Sequence, residues 1–400
     1  MSPPPTQATS APGRAPLTRG LLSLLTISCF ATAGTIHFQT PMLPEFAREF
    51  GASTAAVGWV AACSFGGFLV GTMFLAPLGD SFDKRRLMLL QLAGLILALL
   101  AMAAAPTLPM LAGAALVVGI CASISQHAIP LVAELAAPHE RGRVLGTLMS
   151  GLFVGILFGR VGGGLVASNL GWRWMYVISA AMLLALAPAL WARVPSVPAR
   201  TRHAYGALLA SLFRLVRDRP DLRRASAVQF LIGICYGGFW STLAPMLAAL
   251  HGLGPAVAGL FGIPGAAGVL VARPAGRWTD LSGVRPVVTT GICLVIAAYL
   301  TFGFGVLWIG AIVLGAILQD CGLRAAMVAN QAMVTTADPA TRSRSNTVFA
   351  IHVWGGNAAG ALIATTLWTY YGWLGVCAGG VAASAAALGV YLRGRSARPA

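Results

Sequence analysis

The sequence has few charged residues, and acidic ones are scarcest. Asp, Glu, Lys and Arg make up 10% of the 400 residues, against about 25% in an average soluble domain. Asp and Glu number only 11, against 27 Lys and Arg, while 57% of the residues are hydrophobic. The mean hydropathy is +0.79. This composition excludes an ordinary soluble domain and indicates a protein of the lipid bilayer.

Motifs of enzymes and ATP-driven pumps are also absent. The chain has no HExxH, GxSxG or GxxxxGK[ST] pattern, which would mark a zinc protease, a serine hydrolase or an ATP-binding loop. None of its seven cysteines forms a CxxC pair, so we interpret them as small buried hydrophobic residues. We therefore expect no cofactor and no metal. An integral-membrane enzyme and a non-transporting membrane sensor remain as remote alternatives.

Apolar segments of membrane-spanning length alternate with short loops throughout the chain. About 20 helical residues are enough to cross a hydrocarbon core of about 30 Å. The pattern predicts an all-α integral membrane protein with twelve spans near residues 20–43, 55–78, 87–105, 108–133, 144–168, 172–192, 224–250, 256–278, 286–304, 306–335, 345–370 and 373–392.

The second half of the chain repeats features of the first half. Gly171-Trp172 recurs as Gly372-Trp373, and Asp80 recurs as Asp280. Two membrane halves related by such a repeat are typical of secondary transporters, whose substrate site lies between the halves near the midplane. The predicted domains are a disordered tail (1–16), two pseudo-symmetric six-helix bundles (17–193 and 224–393), a linker with an amphipathic helix (194–223) and a second tail (394–400).

The net charge of +16 reflects membrane topology. Lys and Arg concentrate in the tails, the linker and the loops after even-numbered spans, whereas the opposite loops contain only Arg48 and Arg173. Cytoplasmic loops carry an excess of Lys and Arg, so we expect both termini to be cytoplasmic. This distribution argues against a nucleic-acid partner.

Glycines recur every four residues within several spans. Gly151, Gly155, Gly159 and Gly163 form one such set, and Gly356 with Gly360 forms another. Small residues at this spacing allow close helix packing. The sequence leaves open whether these faces only pack or also let the two halves move against each other.

The loops after spans 2 and 8 each place a carboxylate at a helix end, with basic residues following. An acid in this position can pair with a neighbouring helix or an Arg and hold one conformation until the halves move. The candidate switch residues are Asp80, Lys84, Arg85 and Arg86 in the first loop, and Gly276, Asp280 and Arg285 in the second.

These paired loops resemble the signature of the major facilitator superfamily, with departures at Ala76, Ser81, Asp83 and Trp278. More narrowly, residues 39–44, 138–143, 171–173 and 320–344 resemble the YnfM-like bacterial exporters, a group similar to the twelve-span drug:H+ antiporters. The resemblance implies two six-helix bundles around a central cavity, and rocker-switch alternating access. It further implies proton-coupled export of a small organic molecule, by a monomer in the bacterial inner membrane. Proton-coupled import of a small polar metabolite is the alternative.

Ionisable groups inside spans are costly and by default indicate a functional site. Asp320 and Arg324 are four residues apart in span 10, so they can pair with each other. Asp320 is interpreted either as a proton carrier or as half of a static pair, and His37 as a further proton-coupling candidate or a structural side chain. Arg160 is either an anion-binding residue or a structural counter-ion. The substrate-cavity candidates are Gln39, Gln126, His127, Arg160, Gln229, Tyr236, Trp240, Asn330, Gln331, His352 and Asn357.

Overall fold

The computed structural model of the chain describes residues 17–137, 139–196, 205–336 and 341–393. Within these ranges the regular structure is helical, without a strand. The predicted tails at 1–16 and 394–400, and part of the predicted linker, lie outside the described residues.

The described residues contain twelve helical spans, as the hydropathy pattern predicts. The last helix, Arg342–Arg393, is divided at Gly372, whose φ of 63° and ψ of −160° are not helical, into spans at 342–371 and 373–393. The other spans are Arg19–Glu49, Thr54–Leu75, Lys84–Ala104, Leu108–Leu135, Arg141–Leu170, Trp172–Arg193, Pro220–His251, Pro255–Ser282, Val284–Val306 and Ile309–Thr335. The predicted all-α fold is confirmed.

Several spans are interrupted near the centre of the molecule or towards one end. Span 1 consists of the helix Arg19–Thr35, a 3-10 turn at Thr40–Met42 and the helix Leu43–Glu49. Span 4 breaks between the helices Leu108–Ala122 and Ser125–Leu135. Span 8 divides into Pro255–Leu260, Gly262–Gly265 and Ala267–Ser282. Such breaks are tolerated at membrane depth where the freed backbone is buried in protein or faces a cavity.

The repeated Gly-Trp pair makes equivalent turns in the two halves. Gly171 has a φ of 92° between spans 5 and 6, and Gly372 a φ of 63° between spans 11 and 12. A side chain is strained at such angles, which explains the glycine. The indole of Trp172 donates to Glu49 Oε2 at 2.5 Å, and that of Trp373 donates to the carbonyl of Phe302 at 2.7 Å. Each Trp thereby attaches the start of its own span to another span of the same half: Trp172 to span 1, and Trp373 to span 9.

The glycine faces join helices within one half. A Cβ added to Gly155 or Gly159 would lie 2.2 or 2.5 Å from a carbonyl oxygen of span 1, that of Phe30 or Gly34. In the second half, a Cβ on Gly360 would lie 2.1 Å from the carbonyl oxygen of Ile234 in span 7. These faces therefore hold spans 1 and 5, and spans 7 and 11, in backbone contact. They are packing surfaces within the bundles and do not lie between them.

An amphipathic helix at Tyr205–Asp218 connects the halves. Its Leu212 and Leu215 pack with Val334 and Phe349 of the second half. The hydroxyl of Tyr205 donates to the carbonyl of Phe74, at the end of span 2, at 2.8 Å. The linker helix thus contacts both halves at one face of the bundle. The first span begins at this face and the last span ends there, and we call it the terminal face.

We expect Gly155→Ala to lower the melting temperature of the purified protein, because the new methyl group would overlap the Phe30 carbonyl. Overpacking of this kind costs about 1–3 kcal/mol. Gly146→Ala is the matched control on the same helix, since a Cβ there meets nothing within 4 Å. Equal melting temperatures for the two variants in a thermal-shift assay would contradict the packing found between spans 1 and 5.

We expect single cysteines at Arg217 and Thr107 to react from opposite sides of the membrane. Both residues are exposed, Arg217 in the linker helix and Thr107 between spans 3 and 4. The background would have the seven native cysteines replaced, none of which forms a disulfide. With cytoplasmic termini, an impermeant maleimide added to intact cells labels only Thr107→Cys. Labelling of only Arg217→Cys would reverse the orientation, and labelling of both would contradict the twelve-span topology.

Candidate functional site: a central cavity between the halves

A cavity of about 230 Å³ lies between the two halves. Spans 1, 2, 4 and 5 line it from the first half, and spans 7, 10 and 11 from the second. It brings together six of the candidate residues, namely His37, Gln126, Tyr236, Arg324, Gln331 and Asn357. The polar groups of distant segments therefore meet at one site.

The cavity lies in the half of the molecule next to the terminal face. Its lining includes Ile129 near the end of span 4, Met149 near the start of span 5 and Asn346 near the start of span 11. These span ends all belong to the terminal face, so the cavity is nearer to that side.

The halves are in close contact at the opposite face. The backbone N–H of Ala55 donates to Thr369 Oγ1 at 3.0 Å, and that of Ala256 donates to Ser168 Oγ at 3.0 Å. A Cβ added to Gly164 of span 5 would lie 2.2 Å from the carbonyl oxygen of Pro255. Spans 2 and 11, and spans 5 and 8, thus close the molecule on the side away from the cavity.

Arg160 joins the halves at the closed end of the cavity. Its side chain is 3% exposed, and its Nη2 donates to the hydroxyl of Tyr236 in span 7 at 2.6 Å. The guanidinium carbon lies 3.5 Å from the ring centroid of Trp240, also in span 7. Cation–π contacts are strongest where the cation is desolvated. Three predicted residues therefore form one contact across the interface, although of the three only Tyr236 lines the main cavity.

The expected direct pair of Asp320 with Arg324 is not formed. Among the described residues, no nitrogen–oxygen contact within 4.0 Å joins Asp320 to Arg324 or to Arg160. Arg324 instead extends to the ring of Phe153 in span 5, 5.2 Å from its centroid. A side pocket of about 20 Å³ borders all three ionisable groups, which is room for about one water molecule.

Two further polar groups line the cavity in different ways. Gln331 Nε2 donates to Asn346 Oδ1 at 2.7 Å, which joins spans 10 and 11. His37 is buried against the ring of Phe65, and neither of its ring nitrogens has a hydrogen-bond partner among the described residues.

Other candidates do not border this cavity. Gln39 Nε2 donates to the carbonyl of Ile36 at 2.6 Å, and His352 Nδ1 lies 2.8 Å from the carbonyl of Val348. His127 faces the short helix Leu78–Ser81 that follows span 2, since a Cβ on Gly79 would lie 2.7 Å from its Nδ1. Gln229 and Asn330 are fully buried elsewhere in the second half. For Gln39, His127 and His352 the reason is that the side chain is turned to its own bundle or its own backbone.

Sequence reasoning missed the phenylalanines of the lining. Phe68, Phe153, Phe349 and Trp354 border the cavity, and the rings of Phe68 and Trp354 lie 4.3 Å apart between centroids. A helical face was the available signal: Asn346, Phe349, Val353 and Asn357 recur at intervals of three and four residues.

The two switch loops are unlike each other. In the first, Lys84 is buried and its Nζ donates to Glu134 Oε1 of span 4 at 2.5 Å. Asp83 accepts from the N–H of Arg85 at 3.0 Å and from Ser196 Oγ at 2.7 Å. The partner Glu134 was not predicted.

The remaining switch candidates have few contacts of this kind. Arg85 donates to the carbonyl of Trp191, and Arg86 is exposed. In the second loop Asp280 and Arg285 are exposed, and within the described part of the chain neither forms an ion pair. A Cβ on Gly276 would meet only Val328, at 3.9 Å.

We expect Asp80→Asn to slow transport about fivefold or more, the lower end of typical coupling free energies of about 1–3 kcal/mol. Asp80 belongs to the short helix Leu78–Ser81, four residues before Lys84, which forms the ion pair with Glu134. Asp280→Asn is the symmetry-matched control and should have a smaller effect. Transport would be measured at low and saturating substrate with membrane levels matched. Normal rates for Asp80→Asn at both concentrations would contradict a switching role.

The chain is similar to known proteins in both sequence and fold. The family model described as Major Facilitator Superfamily matches residues 24–273. Transporter YgaY of Escherichia coli O157:H7 is 32% identical over 383 residues, 94% of this chain and 96% of its own length. The probable transporter SCO4007 of Streptomyces coelicolor is 35% identical over 367 residues, 90% and 84% of the two chains.

A chloramphenicol resistance protein of Streptomyces lividans is 27% identical over 286 residues, 69% of this chain and 70% of its own. Among solved structures, a bacterial homolog of the human lysosomal transporter Spinster, inward-facing and occupied, has a TM-score of 0.72 at 16% identity and covers 95% of both chains. That likeness concerns the fold. From the family model and the full-length relatives together, the chain belongs to the major facilitator superfamily of transporters.

Proposed function

We propose that this transporter exports a small organic molecule in exchange for protons, by alternating access of the central cavity. The observation that carries the proposal is the set of ionisable groups Arg160, Asp320 and Arg324, which border one side pocket between the two halves. Arg160 and Asp320 are buried, and Arg324 also lines the central cavity. The name of the Streptomyces lividans relative, a chloramphenicol resistance protein, supports export as the direction. With cytoplasmic termini, the described conformation has its cavity on the inner side.

Alternating access requires the contacts at the opposite face to separate. Two of them are single hydrogen bonds at exposed positions, Ala55 to Thr369 and Ala256 to Ser168. Such bonds contribute about 0.5–1.5 kcal/mol each, so breaking them adds little to the free energy needed to separate the halves. Opening on that side would also pull Arg160 away from Tyr236 and Trp240, because these residues belong to different halves. The conformational change would therefore alter the surroundings of the ionisable groups.

Asp320 is the proposed proton carrier. It is 2% exposed, and the other acidic residues of the described chain lie at or beyond the ends of the spans. An ionised carboxylate in a desolvated position is costly unless it is paired or protonated. In this conformation neither arginine is in direct contact with it, so a proton or a rearranged Arg324 would neutralise it. Movement between the two settings would load and release the proton.

The alternative direction, uptake together with a proton, is favoured by one specific observation. The ionisable groups that border the side pocket are two guanidinium groups and a single carboxylate, so they carry excess positive charge. An anion bound near Asp320 repels its ionised form and thereby favours proton binding. By reciprocity the proton favours the anion, which is the requirement for symport.

We expect Asp320→Asn to abolish pH-driven accumulation in proteoliposomes while substrate binding is retained, because the amide cannot carry a proton. The test uses a panel of labelled molecules that includes chloramphenicol and benzenesulfonate, an anion that stays ionised. With one proton per cargo, a gradient of one pH unit supports about tenfold accumulation. The reason is that moving a proton across one pH unit releases about 1.36 kcal/mol, which is a factor of ten in concentration. Asp218→Asn, at an exposed position of the linker helix, is the control.

The direction follows from which vesicles accumulate the cargo. Exchange gives accumulation in acid-inside vesicles, and symport gives it when the outside is acidic. If Asp320→Asn retains pH-driven transport, Asp320 is structural and His37 becomes the next candidate. If no member of the panel responds to either gradient in the unmodified protein, proton coupling is refuted.

A further inference from the structure

We infer that the central cavity selects small organic anions with an aromatic body, and that Arg324 is the residue that binds the anionic group. This inference rests on the part of the proposed function that takes the cavity to be the transport site, and an anionic cargo favours the symport alternative described above. It adds the substrate class, which follows from the charge, the unfilled hydrogen-bonding capacity and the shape of the lining.

The charge of the lining is positive. Among the described residues that border the main cavity, Arg324 is the only one with a permanent charge, and no carboxylate is present. Arginine stays protonated in proteins. A cargo that enters this cavity therefore meets a fixed cation without a fixed anion.

Arg324 retains its hydrogen-bonding capacity. Its guanidinium has five N–H donors, yet no described group accepts a hydrogen bond from it, and its Nε is buried without a partner. Its contact with the face of the Phe153 ring uses none of these donors in a conventional hydrogen bond. A guanidinium is suited to bidentate binding of a carboxylate.

Asp320 does not neutralise both arginines. Arg160 is engaged by Tyr236 and Trp240, which are uncharged, so its charge is not cancelled by those contacts. One carboxylate and two guanidinium groups leave a net charge of +1, or +2 when Asp320 is protonated. Uncompensated charge inside a protein is costly, so an anion bound at Arg324 would be stabilised.

The remainder of the lining fits an aromatic body. Phe68, Trp354 and Phe349 offer aromatic ring surfaces. Met149 and Met327 add flexible apolar side chains that can adapt to a ligand. The volume of about 230 Å³ is below the range of about 300–1,000 Å³ typical of drug-sized sites. A single substituted ring is therefore the appropriate size of probe.

The experiment compares three ligands of nearly equal shape and different charge. Benzoate is an anion, benzamide is neutral and benzamidinium is a cation. We expect calorimetric titration of the purified full-length protein at neutral pH to give at least about tenfold tighter binding of benzoate than of benzamide, because a hydrogen bond to a charged group is worth about 1.5–3 kcal/mol. Benzamidinium should bind more weakly than benzamide.

Substitutions identify the binding residue. Arg324→Gln should remove the preference for benzoate and leave the affinity for benzamide unchanged, which also shows that the variant is folded. Arg324→Lys should retain part of the preference, because the charge remains but the bidentate geometry is lost. Arg214→Gln, at an exposed position of the linker helix outside the cavity, is the matched control and should behave like the unmodified protein.

Several outcomes would overturn the inference. These are benzamide or benzamidinium binding as tightly as benzoate, no benzoate binding to the unmodified protein, or an unchanged preference in Arg324→Gln. Its failure differs from failure of the proposed function. Selective benzoate binding without any pH-driven transport would refute the function alone, whereas pH-driven transport of a neutral or cationic cargo without benzoate binding would refute the anion inference alone.

Discussion

Arg160 of span 5 is held between Tyr236 and Trp240 of span 7, and this contact connects the closure of the molecule with the chemistry of its centre. A cation–π contact of a desolvated cation contributes about 2 kcal/mol, and a hydrogen bond to a charged group about 1.5–3 kcal/mol. Separation of the halves at the opposite face must overcome both. A cargo can supply this free energy only through contacts that differ between the two conformations, and the neighbouring Arg324 and Asp320 are placed to provide them.

Much of the fold could be predicted because lipid leaves the backbone few choices. Every peptide group at membrane depth needs an internal hydrogen bond, so apolar runs of sufficient length become helices. The Gly-Trp repeat identified the two halves. The non-helical backbone at Gly372 explains why the 52-residue segment Arg342–Arg393 forms two spans. The ends were less predictable. Leu43–Glu49 extends span 1 beyond the apolar run, since a helix can continue into the polar region where its charged residues are solvated.

The site was only partly predictable, because sequence shows which side chains are polar but not which helix face meets the partner half. His127 and Gln39 are polar residues in spans, yet His127 faces the short helix after span 2 and Gln39 bonds to the backbone of its own span. Conversely, Phe68 and Trp354 border the cavity and are indistinguishable by type from packing aromatics. The Lys84–Glu134 pair spans 50 positions of sequence and depends on how spans 3 and 4 approach each other.

In the proposed proton-coupled mechanism, the charge of the cargo and the direction of proton movement are not independent. A cation, or a neutral molecule that donates a hydrogen bond to Asp320, stabilises the ionised carboxylate and displaces its proton, so cargo and proton are exchanged. An anion at Arg324 does the reverse, because it repels the ionised form of Asp320 and occupies the guanidinium that could otherwise neutralise it, which makes the protonated carboxylate the more stable form. The cargo then crosses with the proton. Exchange is supported by the name of one relative, and symport by the two arginines around a single carboxylate. Since both arguments act through Asp320, establishing the charge of the cargo also establishes which coupling the buried residues can sustain.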